Sequence, residues 1–254
     1  AALARPSPPG RRVRRAQAVT KETAKGLIED LADKAKSKAG QRAEALRALR
    51  DLLALGPVAE PVVTPHLPAL IEALADKVPE VSAEATTTCL AVVDAISPHA
   101  TASILPTILA EAGGKWQCNL GRVQMLSALA KRCPDQVALL LPDIVPVLGD
   151  LMNETKLKVK EAAVSAMGDV FATMTNKDLA SFVPEIIACI QDPSRTPETV
   201  HKLAGVVFVQ EITAPALALM APLLHRGFTM PAAAIKVFEG LVLDGQARIA
   251  ARSP

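Results

Sequence analysis

Between Leu141 and Ala163 the chain reads LPDIVPVLGDLMNETKLKVKEAA: an apolar run headed by prolines, a polar patch, and a second run that opens on lysines. In the second run Val159, Ala163, Ala166, Met167, Val170, Phe171 and Met174 recur at helical spacing and form one apolar face. The first run has the same helical period, and the polar patch between them reads as a short turn. The pattern predicts two helices joined tightly, each carrying an apolar stripe that a lone pair cannot bury.

The same event recurs. LPALIEALADK begins at Leu67, LPTILAEAGGK at Leu105, VPEIIACIQDP at Val183 and APLLHRGF at Ala221. Pro68, Pro106, Pro142, Pro184 and Pro222 mark the units, at spacings of 38, 36, 42 and 38 residues. Proline costs little in a first helical turn, where its missing N–H has no intrahelical partner and its fixed φ suits the helix. These prolines therefore predict helix starts, whereas Pro146, one turn further in, is expected to remove a hydrogen bond or kink its helix. A two-helix unit of this length is the mark of HEAT and armadillo repeats. The expected fold is an all-α, superhelical HEAT/armadillo-like solenoid of antiparallel helix pairs, with units over 24–56, 65–97, 103–133, 140–175, 182–213 and 217–245. The first unit lacks its marker proline, and Gly227, Pro231, Gly240 and Gly245 interrupt the last. The second-helix opening Asp-x-x-x-x-Val stands at Asp76 and Val81, with Glu154 and Val159 as a related pair; the residue after the valine is Ser82 in one and Lys160 in the other.

Composition supports an all-helical chain. Half of the 254 residues are hydrophobic, but there is no Tyr and only one Trp and five Phe, so strand-favouring residues are outnumbered by helix formers. Cys89, Cys118, Cys133 and Cys189 lie far apart in apolar contexts and read as buried thiols in a reducing, cytoplasmic setting. No apolar run reaches the ~18 residues of a membrane span. The longest, APALALMAPLL from Ala214, reads as a buried helix.

The net charge of +2 hides an asymmetry: residues 1–50 carry 13 Lys and Arg against 5 Asp and Glu, and the remaining 204 carry 15 against 21. Residues 1–20, acid-free with five arginines, read as a basic disordered tail, a composition shared with organelle transit peptides. Residues 21–227 form the solenoid, and 228–254 a divergent or truncated last repeat. Without a polar cap on that repeat, self-association is expected.

Catalytic patterns are missing. A phosphate-binding loop needs G-x-x-x-x-G-K-[ST]; the nearest match, GGK at Gly113–Lys115, has Leu109 at the first glycine position and Trp116 after the lysine, and reads as a plain loop. No G-x-S-x-G elbow occurs. His66, His99, His201 and His225 fall in different units. Glu198 and His201 are two groups and make no metal site; Thr196 reads as the helix N-cap before them. No enzyme activity, cofactor, metal or small-molecule substrate is expected. What remains is surface. The turns between first and second helices carry Lys77, Lys115, Lys156, Lys158, Lys160 and Arg195, with Lys202 one turn into its helix. Stacking would align these into a basic ridge for phosphate or acidic protein, on a body that is acidic overall. Ordinary solvated lysine is the plainer alternative.

Several segments resemble a known family in order and spacing. KWQ (Lys115–Gln117), DQVALLLPDIVPVL (Asp135–Leu148), VKEAA (Val159–Ala163), NKD (Asn176–Asp178), FVPEIIACIQDP (Phe182–Pro193), PETVH (Pro197–His201) and FVQEITAPALALMAPLLHRG (Phe208–Gly227) are similar to the N-terminal HEAT region of translation elongation factor three. The resemblance spans 27–227 and is densest over 115–227. It implies a docking arm for the ribosome, meeting rRNA and ribosomal proteins in translation elongation. In the full-length family, ATPase cassettes elsewhere drive release of exit-site tRNA. HRG at His225–Gly227 also suits the central HEAT stretch of the ribosome-bound activator of the amino-acid-starvation kinase. After Gly227 the sequence departs from the family, and the Arg-rich start has no clear counterpart. From another class, a generic HEAT adaptor gripping an acidic peptide or helix would use the same ridge.

Overall fold

The computed structural model describes residues 22–31, 38–56, 59–111, 114–174, 176–204 and 214–229. Every regular element among them is helical, and the helices come in pairs of the HEAT/armadillo kind. They fall into two compact units, divided between Arg132 and Cys133. Among the described residues no single helix is long and apolar enough to cross a membrane.

The first unit holds α1 (22–31), α2 (Ala39–Leu53), α3 (Glu60–Val63), α4 (Leu67–Ala73), α5 (Pro79–Ala95), α6 (Thr101–Leu109) and α7 (Trp116–Arg132). Its long second helices make the core: α5 packs along α2 on one side and α7 on the other. Leu46 and Leu49 of α2, Val81, Ala85, Cys89 and Val92 of α5, and Met125, Leu126 and Leu129 of α7 are buried there. Gly121 lets α7 approach closely, because a Cβ there would collide with the methyls of buried Leu74. Arg122 is also buried; its guanidinium donates to the carbonyls of Ile108 and Leu109 and to Asn119 Oδ1, closing the C-terminal end of α6. Burial holds the Arg122 pKa below its ordinary value, with Glu111 opposing the shift.

Charge also joins α2 to the next pair. Arg42 Nε and Nη2 donate to the two carboxylate oxygens of Asp76, each at 3.2 Å, and Asp76 Oδ1 accepts from Val78 N at 2.9 Å. Arg47 reaches Glu84 at 2.7 Å and Glu80 at 2.8 Å, and Arg50 reaches Glu84 at 3.0 Å. The Glu84 carboxyl is held below its ordinary 4.5, first by the Arg47 hydrogen bond and then by Arg50, against the effect of burial. A depressed folded pKa gives stability that is full above the unfolded value and lost as pH falls through the folded one. Urea midpoints should therefore drop between about pH 6 and about pH 3, and drop less in Glu84→Gln. The difference between the two chains should be modest, because these pairs are partly exposed. Equal drops would remove Glu84 from the acid response.

The second unit holds α8 (Pro134–Leu139), α9 (Leu141–Leu151), α10 (Leu157–Phe171), α11 (Lys177–Ala180), α12 (Val183–Gln191), α13 (Thr196–Ala204) and α14 (Ala214–Thr229). The face read from the sequence is the buried face of α10: Val159, Ala163, Ala166, Met167, Val170 and Phe171. Met174 is half-buried and lies beyond the helix. In an open stack, first helices lean on the next first helix. Here α9 packs on α10, α10 on α12, α12 on α14, and α14 returns to α9. The small Ala218 and Ala221 of α14 face Pro142, Val145, Pro146 and Gly149 across a cleft of about 440 Å³.

The structure separates the marker prolines. Pro68, Pro142 and Pro184 occupy the first turns of α4, α9 and α12, as expected. Pro106 instead lies inside α6, which has already begun at Thr101, and Pro222 lies inside α14. At Pro106 the exposed face of the helix leaves the freed carbonyl to water. Pro146 likewise sits within a continuous α9. The APALALMAPLL run forms part of α14 but is not buried throughout: Ala216 and Leu223 are buried, whereas Leu217 is 52% exposed and Ala221 is exposed. Thr196 opens α13, yet its hydroxyl donates back to the Pro193 carbonyl at 2.7 Å and does not act as an N-cap acceptor. All four cysteines are buried thiols outside any disulfide, and burial pushes the Cys89 thiol up to about 12. Residues 1–20 and 230–254, which carry the tail and most of the last repeat, lie outside the described residues.

Candidate basic interface

The first unit carries Lys77 and Lys115 in equivalent turns, 38 residues apart, ahead of α5 and α7. Both are exposed. Gly114 precedes Lys115 in the left-handed region, φ +68°, which turns the chain into α7. The charge of Lys115 draws the Cys118 pKa down, although burial dominates and leaves it raised.

The second unit carries the other five. Lys156 is the residue before α10, and Lys158 and Lys160 lie in its opening turns. Lys156 and Lys158 are exposed and Lys160 is half-buried. None of Lys77, Lys115, Lys156, Lys158, Lys160 and Arg195 forms a salt bridge among the described residues. The start of α10 concentrates positive charge. A helix N-terminus bears partial positive charge and favours acids; α5, α9, α12 and α13 have Glu80, Asp143, Glu185 and Glu198 there. α10, like α2, α6, α7 and α14, has no acid in its first turn, and in α10 lysines crowd it. Each such lysine costs the helix about 0.3 to 1 kcal/mol, a penalty that a bound anion would reverse. Leu157, between two of them, is 66% exposed.

Arg195 and Lys202 differ from this cluster. Arg195 ends the turn before α13, near Asp192, whose carboxyl is lowered chiefly by hydrogen bonds from Ser194 and only slightly by Arg195. Lys202 is claimed by carboxylates, bridging Glu185 and Glu198 at 3.2 Å each. Those two hydrogen bonds, Glu198 first, raise its pKa. The structure thus brings Lys156, Lys158 and Lys160 together on one helix start, and spends Lys202 on an internal network.

Sequence reasoning also missed how much of the basic first fifth is neutralised. Arg42, Arg47 and Arg50 pair with Asp76, Glu80 and Glu84 of the next unit. A signal was present: the partners stand 33 to 37 residues apart, about one repeat length. Among the described residues no group of three or more His, Cys, Asp or Glu is placed to hold a metal ion.

Known proteins share this array. A family profile described as the EF3 N-terminal HEAT repeat matches residues 13–167, and one described as the elongation factor 3/GNC1 HEAT repeat matches 194–245. Both are HEAT repeats and neither is an ATPase cassette. Elongation factor 3 of Candida glabrata is 36% identical over 227 residues, and elongation factor 3A of Saccharomyces cerevisiae is 34% identical over 230. Elongation factor 3 of Gonapodya prolifera is 37% identical over 179 residues. These alignments take in 88%, 90% and 70% of this chain but 22%, 22% and 16% of the relatives. The chain spans about a fifth of the length of the curated relatives it matches.

Proposed function

Because this chain belongs to the EF3 N-terminal HEAT-repeat family, we propose that it is a ribosome-docking arm acting in translation elongation in the cytoplasm. In this reading it holds its protein on rRNA and ribosomal proteins while ATPase cassettes in other parts of a full-length factor drive exit-site tRNA release. The arm itself turns over nothing. The observation that carries the reading is the Lys156, Lys158 and Lys160 cluster at the head of α10, free of salt bridges among the described residues and inside the family-matched span. Its charges are positioned for phosphate, and the helix gains when an anion arrives. Lys77, Lys115 and Arg195 extend the contact; Lys202 contributes least, because Glu185 and Glu198 already neutralise it.

Co-sedimentation with eukaryotic ribosomes at low and then moderate salt tests this. Three phosphate contacts imply a loss of about 2 to 3 log units in affinity per tenfold rise in salt. The chain should pellet at low salt and release as salt rises, and K156E/K158E/K160E should fail to pellet while keeping its helical circular dichroism. A folded chain that never pellets at low salt, or a triple variant that pellets like the parent, overturns the assignment.

A further inference from the structure

The repeated prolines leave a second, oppositely charged surface. In the first unit a cleft of about 350 Å³ lies between α4 and α6, with Pro68, Ile71 and Glu72 on one side and Pro106, Thr107, Ala110 and Glu111 on the other. It opens because the two helix layers pack differently. α5 and α7 lie along one another, whereas α4 and α6 touch only lightly. The side chains that face across the gap are pyrrolidine rings, a methyl and a hydroxyl, too short to fill it. Ile71 is buried, whereas Pro68, Pro106 and Ala110 are exposed.

The cleft's charge is also left open. Glu72 and Glu111 are exposed, and neither forms a salt bridge among the described residues. Arg122, the cation that interacts with Glu111, is buried and donates to the carbonyls of Ile108 and Leu109 and to Asn119. An apolar trough flanked by two exposed carboxylates that form no salt bridge among the described residues disfavours nucleic acid and has too few convergent donors to orient a small neutral ligand. It complements a cationic chain that also carries an apolar side chain.

We propose that the cleft between α4 and α6 docks a basic segment of a partner protein, whose apolar side chain enters between Pro68 and Pro106 while flanking arginines or lysines meet Glu72 and Glu111. This assignment does not depend on ribosome docking by the α10 lysines, which are of opposite sign and in the other unit, although Lys77 and Lys115 of the same docking surface share this unit with the cleft.

Fluorescence anisotropy with a labelled RRLRR peptide, added to the full chain at low salt, tests it. The peptide should bind; RRSRR should bind several-fold more weakly, because the apolar contact is gone. E72Q/E111Q should weaken RRLRR about tenfold, as loss of two exposed ion pairs predicts. Ala110→Trp, which fills the trough without altering charge, should bring RRLRR down to the level of RRSRR. The control E154Q/E161Q should bind like the parent. Equal binding of the two peptides, or an E72Q/E111Q chain that binds RRLRR like the parent, overturns the proposal. So does preferential capture of a labelled single-stranded RNA by the Glu72–Glu111 face. Because Glu72 and Glu111 are exposed, circular dichroism of E72Q/E111Q should be unchanged, and loss of binding can then be read as loss of the site.

Discussion

Asp76→Ala is expected to destabilise the chain by about 3 to 5 kcal/mol, the cost of removing one member of a buried ion pair. Arg42 and Asp76 have side chains only 8% and 4% exposed. Removing the carboxylate takes two hydrogen bonds from a poorly solvated guanidinium, and it frees Val78 N at the turn into α5. The destabilisation should appear as a large drop in the urea midpoint followed by circular dichroism. The pair itself contributes far less than this. Desolvation offsets most of the attraction, so R42M/D76L should recover much of the loss. A single variant within about 1 kcal/mol of the parent would falsify the claim that the pair is dry.

Phe171→Ala is expected to cost a similar amount, about 3 to 5 kcal/mol, through lost burial and the cavity left behind. Phe171 ends α10 and is 2% exposed, among the largest fully buried side chains. α10 packs on both α9 and α12, so a void in its buried face weakens the core of this unit. Phe171→Leu keeps most of the volume and should cost less than about 1.5 kcal/mol. Hydrogen exchange followed on α10 peptides separates this from global effects: the alanine variant should lose its slowest-exchanging amides in α9, α10 and α12. Undiminished protection there would mean that the site collapses around the smaller side chain.

These two residues mark how far the sequence can be read. Phe171 was legible because helical period is a local property: Val159, Ala163, Ala166, Met167, Val170 and Phe171 share a face whatever the neighbours are. The same holds for the all-helical class, the pairing of helices, and Pro68, Pro142 and Pro184 at helix starts. Position Asp76 was legible as a helix-opening acid, but its partner was not. Arg42 lies 34 residues earlier, and both would read as solvated charge on their own segments. Pro106 and Pro222 misled because a proline's tolerance inside a helix depends on whether the freed carbonyl meets water, which composition does not encode. Among the candidate lysines, Lys156, Lys158 and Lys160 remain without salt bridges among the described residues, but Lys202 is held by Glu185, seventeen residues away across a turn.

By itself, then, the sequence determined what is periodic and local: helices, their apolar faces, the repeat length, and a family resemblance carried by ordered segments. Tertiary structure decided which charges stay free, because pairing depends on the register between successive repeats. It also decided where the helix layers part. α5 and α7 bury large side chains and close together, whereas α4 and α6 present rings and methyls too small to bridge the gap, and an acidic cleft remains.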